Sequence, residues 1–328
     1  MTVNKEISWS FDINPGEWDS FLADVGGHPL QSALWGQAKS EADGVRDCRW
    51  AAFCCNEPIL MARFEVRSLP LGLRVAWVPR GPLLTDHPLA GLAHEQFLER
   101  LRHKGYLVCF TDPYQSTIDG DWLGKSIGAV QETLWVDLSV GAPAIFSNMH
   151  KKLRYGVRAA ERAGVVLEES RSPVDVKAFF NLCSQVSSAK DFSLPGSAEL
   201  LQELISLSGE NNPFKAHLFV ARHEGRLASG YFSIENGHRL HNIWNATDRD
   251  LARHCPGEAA LWYQVEWAIE AGLEVYDQEG IDRENNPGCY QFKKRLGGKV
   301  ISLPGLHAYP LGFLGKTVLS LGRLAGKI

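Results

Sequence analysis

Two pairs of short stretches decide how this chain folds. FCCNEPILMA (53–62) and ARHEGRLASG (221–230) each read as strand, acidic turn, strand. LRHKGYLVCF (101–110) and AIEAGLEVYD (268–277) each read as helix end, glycine, strand. Glu57 and Glu224 stand 167 residues apart, and so do Gly105 and Gly272. One such likeness means little, because a helix closed by glycine and followed by a strand is a common connection. Two at a single offset point to a duplicated α/β unit.

The surrounding segments fit that reading. NPGEWDSFLADV opens a helix, with Asn14 as its cap and Pro15 in the first position. QSALWGQAKSEA reads as a second short helix. RWAAFCC and ILMARFEV form a hairpin turning at Asn56-Glu57-Pro58. FSNMHKKLRYGVRAAERAG reads as one helix bridging the two halves. AHLFVARHEGRLASGYFSIENGHRLHNIWNA (216–246) gives three antiparallel strands, turning at Glu224-Gly225 and Asn236-Gly237. The expected architecture is α/β (α+β), with mixed sheets flanked by helices. Residues 1–146 form one domain, 147–312 a second, and 313–328 an amphipathic C-terminal helix. A cleft between two such units is a usual place for a site.

Composition narrows the function. The chain has 328 residues, 45% of them hydrophobic and 22% charged, enough apolar material for two cores. A formal net charge of −4 argues against wholesale coating of nucleic acid and leaves room for a local basic patch. Seven scattered cysteines without a C-x-x-C fit thiols in a reducing compartment. The start, MTVNKEISWSFDI, lacks the apolar core of a secretory signal, and the expected location is the cytoplasm. No metal is expected, since His238 and His241 fall on a strand and face opposite sides. LGKT (314–317) is no phosphate loop, because Pro310 stands where the first glycine belongs.

Four stretches carry chemistry. HCPGEA (254–259) opens a helix after the three-stranded meander, where acyltransferases of the GNAT type hold coenzyme A pyrophosphate on backbone amides. Here Pro256 removes a donor and Glu258 adds negative charge, so the position fits and the residues do not. Arg154, Arg158 and Arg162 recur every four residues, either as a solvated basic face or as a phosphate-binding one. In GIDRENNPGCYQFKKRLGG (280–298) the adjacent Lys293 and Lys294 diverge by about 100° on a short helix. One of them can lie inward beside Tyr290, where an ammonium can stabilise an oxyanion. In GFLGKTVLSLGRLAGKI (312–328), Lys316, Ser320, Arg323 and Lys327 form a polar stripe against Phe313, Leu314, Val318, Leu321, Leu324 and Ile328. Either this helix caps the core, or it lies on the inner face of a membrane as a weak peripheral contact.

QSALWGQAK (31–39), FTDP (110–113), MHKKLRYGVRAAERAGV (149–165), WYQVEWAIEAGLEVYDQEGI (262–281) and YQFKKRLGG (290–298) together resemble the Fem family. The likeness runs in order along about the whole chain. Members of that family are aminoacyl-tRNA-dependent peptidyltransferases that build peptidoglycan cross-bridges, on two GNAT-like domains. The resemblance implies an aminoacyltransferase with aminoacyl-tRNA as co-substrate and no other cofactor. The acceptor would be a primary amine on a phosphate-bearing muropeptide or lipid-linked precursor. By motif position Lys293 is similar to the oxyanion-stabilising lysine, and Asp112 is a candidate to take the acceptor's proton. Lys39 and Trp35, with Arg154 or Arg158, would bind the acceptor and its phosphates. Tyr276, Asp277, Tyr290 and Phe292 would line its cleft. The long helical arm that some cross-bridge members insert has no counterpart here. Two other readings stay open: an N-acyltransferase using coenzyme A or a carrier protein, and a binding protein without catalysis.

Overall fold

The computed structural model describes residues 6–11, 13–114, 125–128, 131–190 and 194–324. The chain divides into two compact units, one of residues 1–131 with 302–328, the other of 132–301. These limits differ from the expected 146/147 and 312/313.

The first unit begins with β1 (Ser8–Ser10), α1 (Pro15–Asp24), α2 (Ala33–Asp43), β2 (Arg46–Cys54), β3 (Glu57–Ser68), β4 (Arg74–Val78) and β5 (Leu83–Leu84). α3 (Ala90–His103), β6 (Tyr106–Thr111) and β7 (Lys125–Ser126) follow. The second unit comprises β8 (Gln131–Asp137), α4 (Ala142–Asn148), α5 (Lys151–Arg162), β9 (Val166–Glu169), α6 (Pro173–Lys190), α7 (Ala198–Leu207), β10 (Lys215–His223), β11 (Arg226–Glu235), β12 (Arg239–Thr247), α8 (Pro256–Glu270), β13 (Val275–Ile281), α9 (Pro287–Lys294) and β14 (Lys299–Leu303). The chain then returns to the first unit with β15 (His307–Pro310) and α10 (Phe313–Leu324).

The duplication is present in the topology. β2, β3 and β4 form an antiparallel meander, α3 crosses over, and β6 pairs parallel to β4. β10, β11 and β12 repeat this, α8 crosses over, and β13 pairs parallel to β12. Gly105 and Gly272 end the two crossover helices at φ 82° and 78°, a left-handed conformation glycine adopts without strain. The hairpin turns correct the 167-residue register. They fall at Cys55-Asn56 and Glu224-Gly225, all at positive φ, so the first turn precedes Glu57 and is not acidic.

The domain limits shift because pairing overrides chain order. β8 lies between β13 and β14 in the seven-stranded sheet, and β15 pairs with β6 in the eight-stranded one. The helix expected to bridge the halves is two helices, both inside the second unit. The break falls at Met149 and His150, where the His150 imidazole caps the amide of Lys152. Each unit has its own core: Trp50, Phe64 and Phe97 in the first, Phe219, Leu261 and Tyr276 in the second.

Candidate active site

The second unit opens where β12 and β13 part. They pair only over Arg239–His241 with Val275–Asp277. Beyond Asp277 the register on β8 jumps to Gly280, a bulge that turns β13 away from β12. Glu279, inside the bulge, sits at φ 57°, a conformation that costs a non-glycine residue about 1 kcal/mol or more.

Three sets of contacts hold the bulge. Asp277, wholly buried, accepts hydrogen bonds from Thr133 Oγ1, from Trp135 Nε1 at 3.0 Å and from the Glu279 amide at 2.7 Å. His241 Nδ1 meets a Glu279 carboxylate oxygen at 2.8 Å and lies 3.7 Å from Asp277. Lys293, buried on α9, donates to the carbonyls of Gln278 at 2.6 Å, Gly280 at 2.8 Å and Glu279 at 3.4 Å. α9 presents it because Asn286 caps the helix and Pro287 starts it. Burial pulls the Lys293 amine below the ordinary lysine value, opposed by Cys289, Glu279 and Asp277. The inward lysine therefore reaches β13, while the exposed Lys294 lies over the Tyr290 ring at 5.6 Å. That reverses the expected placement beside Tyr290.

A second feature lies at the start of α8. An open cavity of about 540 Å³ is lined by Lys151, Lys152, Tyr155, Cys255, Glu258 and Arg295, with Gly156. Pro256 occupies the first helical position, and no side chain caps the helix. Gly156 allows the close packing of α5 on α8, since a Cβ there would stand 2.6 Å from Glu258 Cγ. The cavity thus combines three cations on its rim with a carboxylate in its wall.

The remaining sequence candidates scatter. Arg154 does not present a free fork to phosphate: it donates to the carbonyls of Ser147 at 2.6 Å and of Met149, closing the C-terminus of α4. Arg158 is exposed and lies 5.5 Å from the Phe146 ring. Tyr276 is wholly buried in the core, where its phenol is pushed well above the ordinary value, and it lines no surface. Asp277 acts from the interior as described. Tyr290 is largely buried beneath Arg283 and Lys294, and Phe292 packs against the second core. In the first unit Trp35 is buried on α2, and Lys39 pairs with Asp43 one turn on. Asp112, past the end of β6, lies 3.3 Å from Arg80.

Sequence reasoning weighs His241 only as a metal ligand and misses Glu279. A buried histidine on a strand and a glutamate in a bulge have no spacing signature; the parallel register brings them together. Contrary to a reading in which no G-x-S-x-G is present, the pattern stands at 124–128, with Gly124 outside the described residues. Ser126 lies in the two-residue β7, and its hydroxyl donates to Gly128 O at 3.0 Å.

Residues 147–294 match a family model described as an acetyltransferase (GNAT) domain. No curated protein matches the chain in sequence. Among solved structures, FemX superposes with a TM-score of 0.78 at 16% identity, covering 96% of this chain and 99% of that one. A tandem GNAT protein from the clavulanic acid biosynthesis pathway gives 0.58 at 13% identity, with 94% and 99% covered. L-PGS from Bacillus licheniformis gives 0.56 at 17% identity, with 96% and 97% covered. The duplicated fold read from the sequence is this tandem arrangement: the chain has a Fem-like double GNAT fold, and its second unit carries the stretch that the acetyltransferase (GNAT) model matches.

Proposed function

We propose that the protein transfers an amino acid from aminoacyl-tRNA to a primary amine of a phosphate-bearing, peptidoglycan-precursor-like acceptor. The observation that carries this hypothesis is the buried Lys293 ammonium at the bulge of β13. Two of its hydrogen bonds are short and firm; the third, 3.4 Å to Glu279 O, is long. That third donor can exchange to the oxygen of the tetrahedral intermediate, formed when the amine attacks the ester carbonyl. The intermediate collapses by expelling the tRNA ribose oxygen, which takes up a proton. The amine's proton is taken up by a general base.

A reading with coenzyme A as donor draws on the GNAT match and on the cationic rim of the α8 cavity. Against it stand Pro256, which lacks an amide donor, and the Glu258 carboxylate in the cavity wall. The deciding experiment mixes the purified protein with charged tRNA pools and with nucleotide- or lipid-linked muropeptides, and follows labelled amino acid into the acceptor. Acetyl transfer from acetyl-coenzyme A, with no transfer from any charged tRNA, would replace this proposal by the second reading.

A further inference from the structure

One end of the first unit exposes large apolar side chains from two separate segments. Leu71, in the turn between β3 and β4, is 97% exposed and sits at φ 65°. Both facts are unfavourable for a leucine in water: the backbone strains an L-residue, and the side chain gains nothing from burial. Phe313 and Leu314, at the start of α10, are 83% and 62% exposed. The helix seats itself through other positions. Val318 and Leu319 join Leu69, Val75, Val108 and Ala308 in one cluster, and a Cβ on Gly315 would meet Leu107 O at 2.0 Å. α10 is therefore fully packed on its inner side and still holds apolar residues outward, Leu321 among them. Lys327 and Ile328, expected to extend its two stripes, lie outside the described residues, as do the side chains of Arg323 and Leu324.

Strand register places these segments at the same end of the sheet. Arg74 pairs with Tyr106, and Leu311 donates to Leu107 O at 2.8 Å, so the turn before β4 and the start of α10 both flank the beginning of β6. Cations surround them. Arg74 Nη2 donates to Lys104 O at 2.6 Å, which fixes that arginine beside the exposed Lys104. Lys316 is exposed on α10. On the adjoining β3 and α3, Glu65 is engaged with Arg67 at 3.4 Å and Glu99 with Arg102 at 3.5 Å, while Glu57 and Glu95 of the same elements are exposed.

We propose that this end of the first unit docks on an anionic lipid bilayer, with Leu71, Phe313 and Leu314 entering the interface and Arg74, Lys104 and Lys316 meeting headgroups. An apolar tip within a cationic collar matches the two layers of such a surface in order, acyl chain then phosphate. A second copy of the chain fits poorly, because a two-fold contact would set each cation against its own kind. RNA would meet the cations and could stack a base on Phe313, but it would leave Leu71 and Leu314 exposed to water. The inference is independent of the donor and acceptor proposed above, because it is read from binding without turnover.

The test is co-sedimentation of the full chain with vesicles of phosphatidylglycerol and phosphatidylcholine, against vesicles of phosphatidylcholine alone. Wild type should sediment with the former, release with salt, and ignore the latter. Leu71→Asp should cut the bound fraction about tenfold, the value of one buried leucine. Its thermal unfolding should match wild type, since aspartate tolerates the left-handed backbone. Phe313→Asp with Leu314→Asp should do at least as much, and Lys316→Glu about fivefold or more. Absence of wild-type binding to anionic vesicles, or full binding by Leu71→Asp, would overturn the proposal. So would light scattering that shows a dimer of the free protein made monomeric by Leu71→Asp.

Discussion

Changing Lys293 to methionine keeps the chain length and removes both charge and donors. Two firm hydrogen bonds disappear, to the carbonyls of Gln278 and Gly280. Each buried carbonyl left unpaired costs about 1–3 kcal/mol. Part is recovered because an ammonium need no longer be desolvated, the same burial that pulls the amine's pKa down. The net loss should be about 2–4 kcal/mol at neutral pH, so activity must be measured where the variant is still folded. There, turnover should fall about 10²–10³-fold if the ammonium stabilises the oxyanion, while Lys294→Met changes it little. The pH dependence separates the two roles. The folded pKa lies below the unfolded one, so between them the unfolded chain binds the extra proton. Wild-type stability relative to the methionine variant therefore rises as pH climbs through the folded value towards the ordinary one. Activity must fall over the same window, because the charged form does the chemistry. The assays are label transfer and denaturant unfolding over one pH series. Equal turnover losses for the two lysines, or an alkaline limb that stays at the ordinary lysine value, would refute the reasoning.

Glu258→Gln removes the carboxylate from the cavity beside α8, and affinity for pyrophosphate should rise about fivefold by calorimetry; no change would place Glu258 outside the anion's reach. Arg154→Ala should lower stability by about 1–2 kcal/mol and leave the acceptor KM where Arg158→Ala leaves it, because Arg154 closes α4; a KM effect without destabilisation would restore the phosphate role. Lys39→Ala should raise KM for a pyrophosphate-linked acceptor several-fold and hardly alter KM for the same peptide without phosphates, once Asp43 is also neutralised so that no unpaired acid remains.

The fold was legible because its punctuation is local. Gly105 and Gly272 close helices, Asn14 caps one, and Glu224-Gly225 turns a hairpin, each through a residue type its backbone requires. What failed was whatever depends on distant pairing. Nothing within residues 131–137 says that they pair with 275–281, so the domain limit fell too late. The split of the basic helix hung on a side chain: Arg154 reads as one of a cationic stripe, and only the tertiary position of Ser147 and Met149 turns it into a cap. Lys293 was found by its neighbours in sequence, and its carbonyl partners by none of them. Tyr276 and Asp277 were expected to line a cleft, whereas both are buried: they face opposite sides of β13, and sequence alone does not say that both sides are covered there.

The two copies of the unit differ in how far their parallel strands stay paired. In the first, β4 and β6 stay paired from Arg74 with Tyr106 through Val78 with Thr111, and the Asp112 amide goes on to Val78 O at 3.3 Å, so the strands remain zipped. In the second, pairing stops after three residues, at the bulge built from Gln278 and Glu279. Parallel pairing thus ends beside the buried ammonium in the second unit, which is also the half matched by the acetyltransferase family model. If the bulge exists for chemistry, Glu279 keeps its strained backbone because its carboxylate is needed on His241. Glycine relieves the strain and deletes the carboxylate, and the bulge itself survives through the three carbonyls that hold Lys293. Glu279→Gly should therefore stay within about 1 kcal/mol of wild-type stability and lose about tenfold or more in kcat. Glu279→Gln, which retains the strain and one acceptor oxygen, should lose less in kcat while gaining no stability. Full activity in the glycine variant would show that the bulge alone, and no carboxylate, serves the reaction.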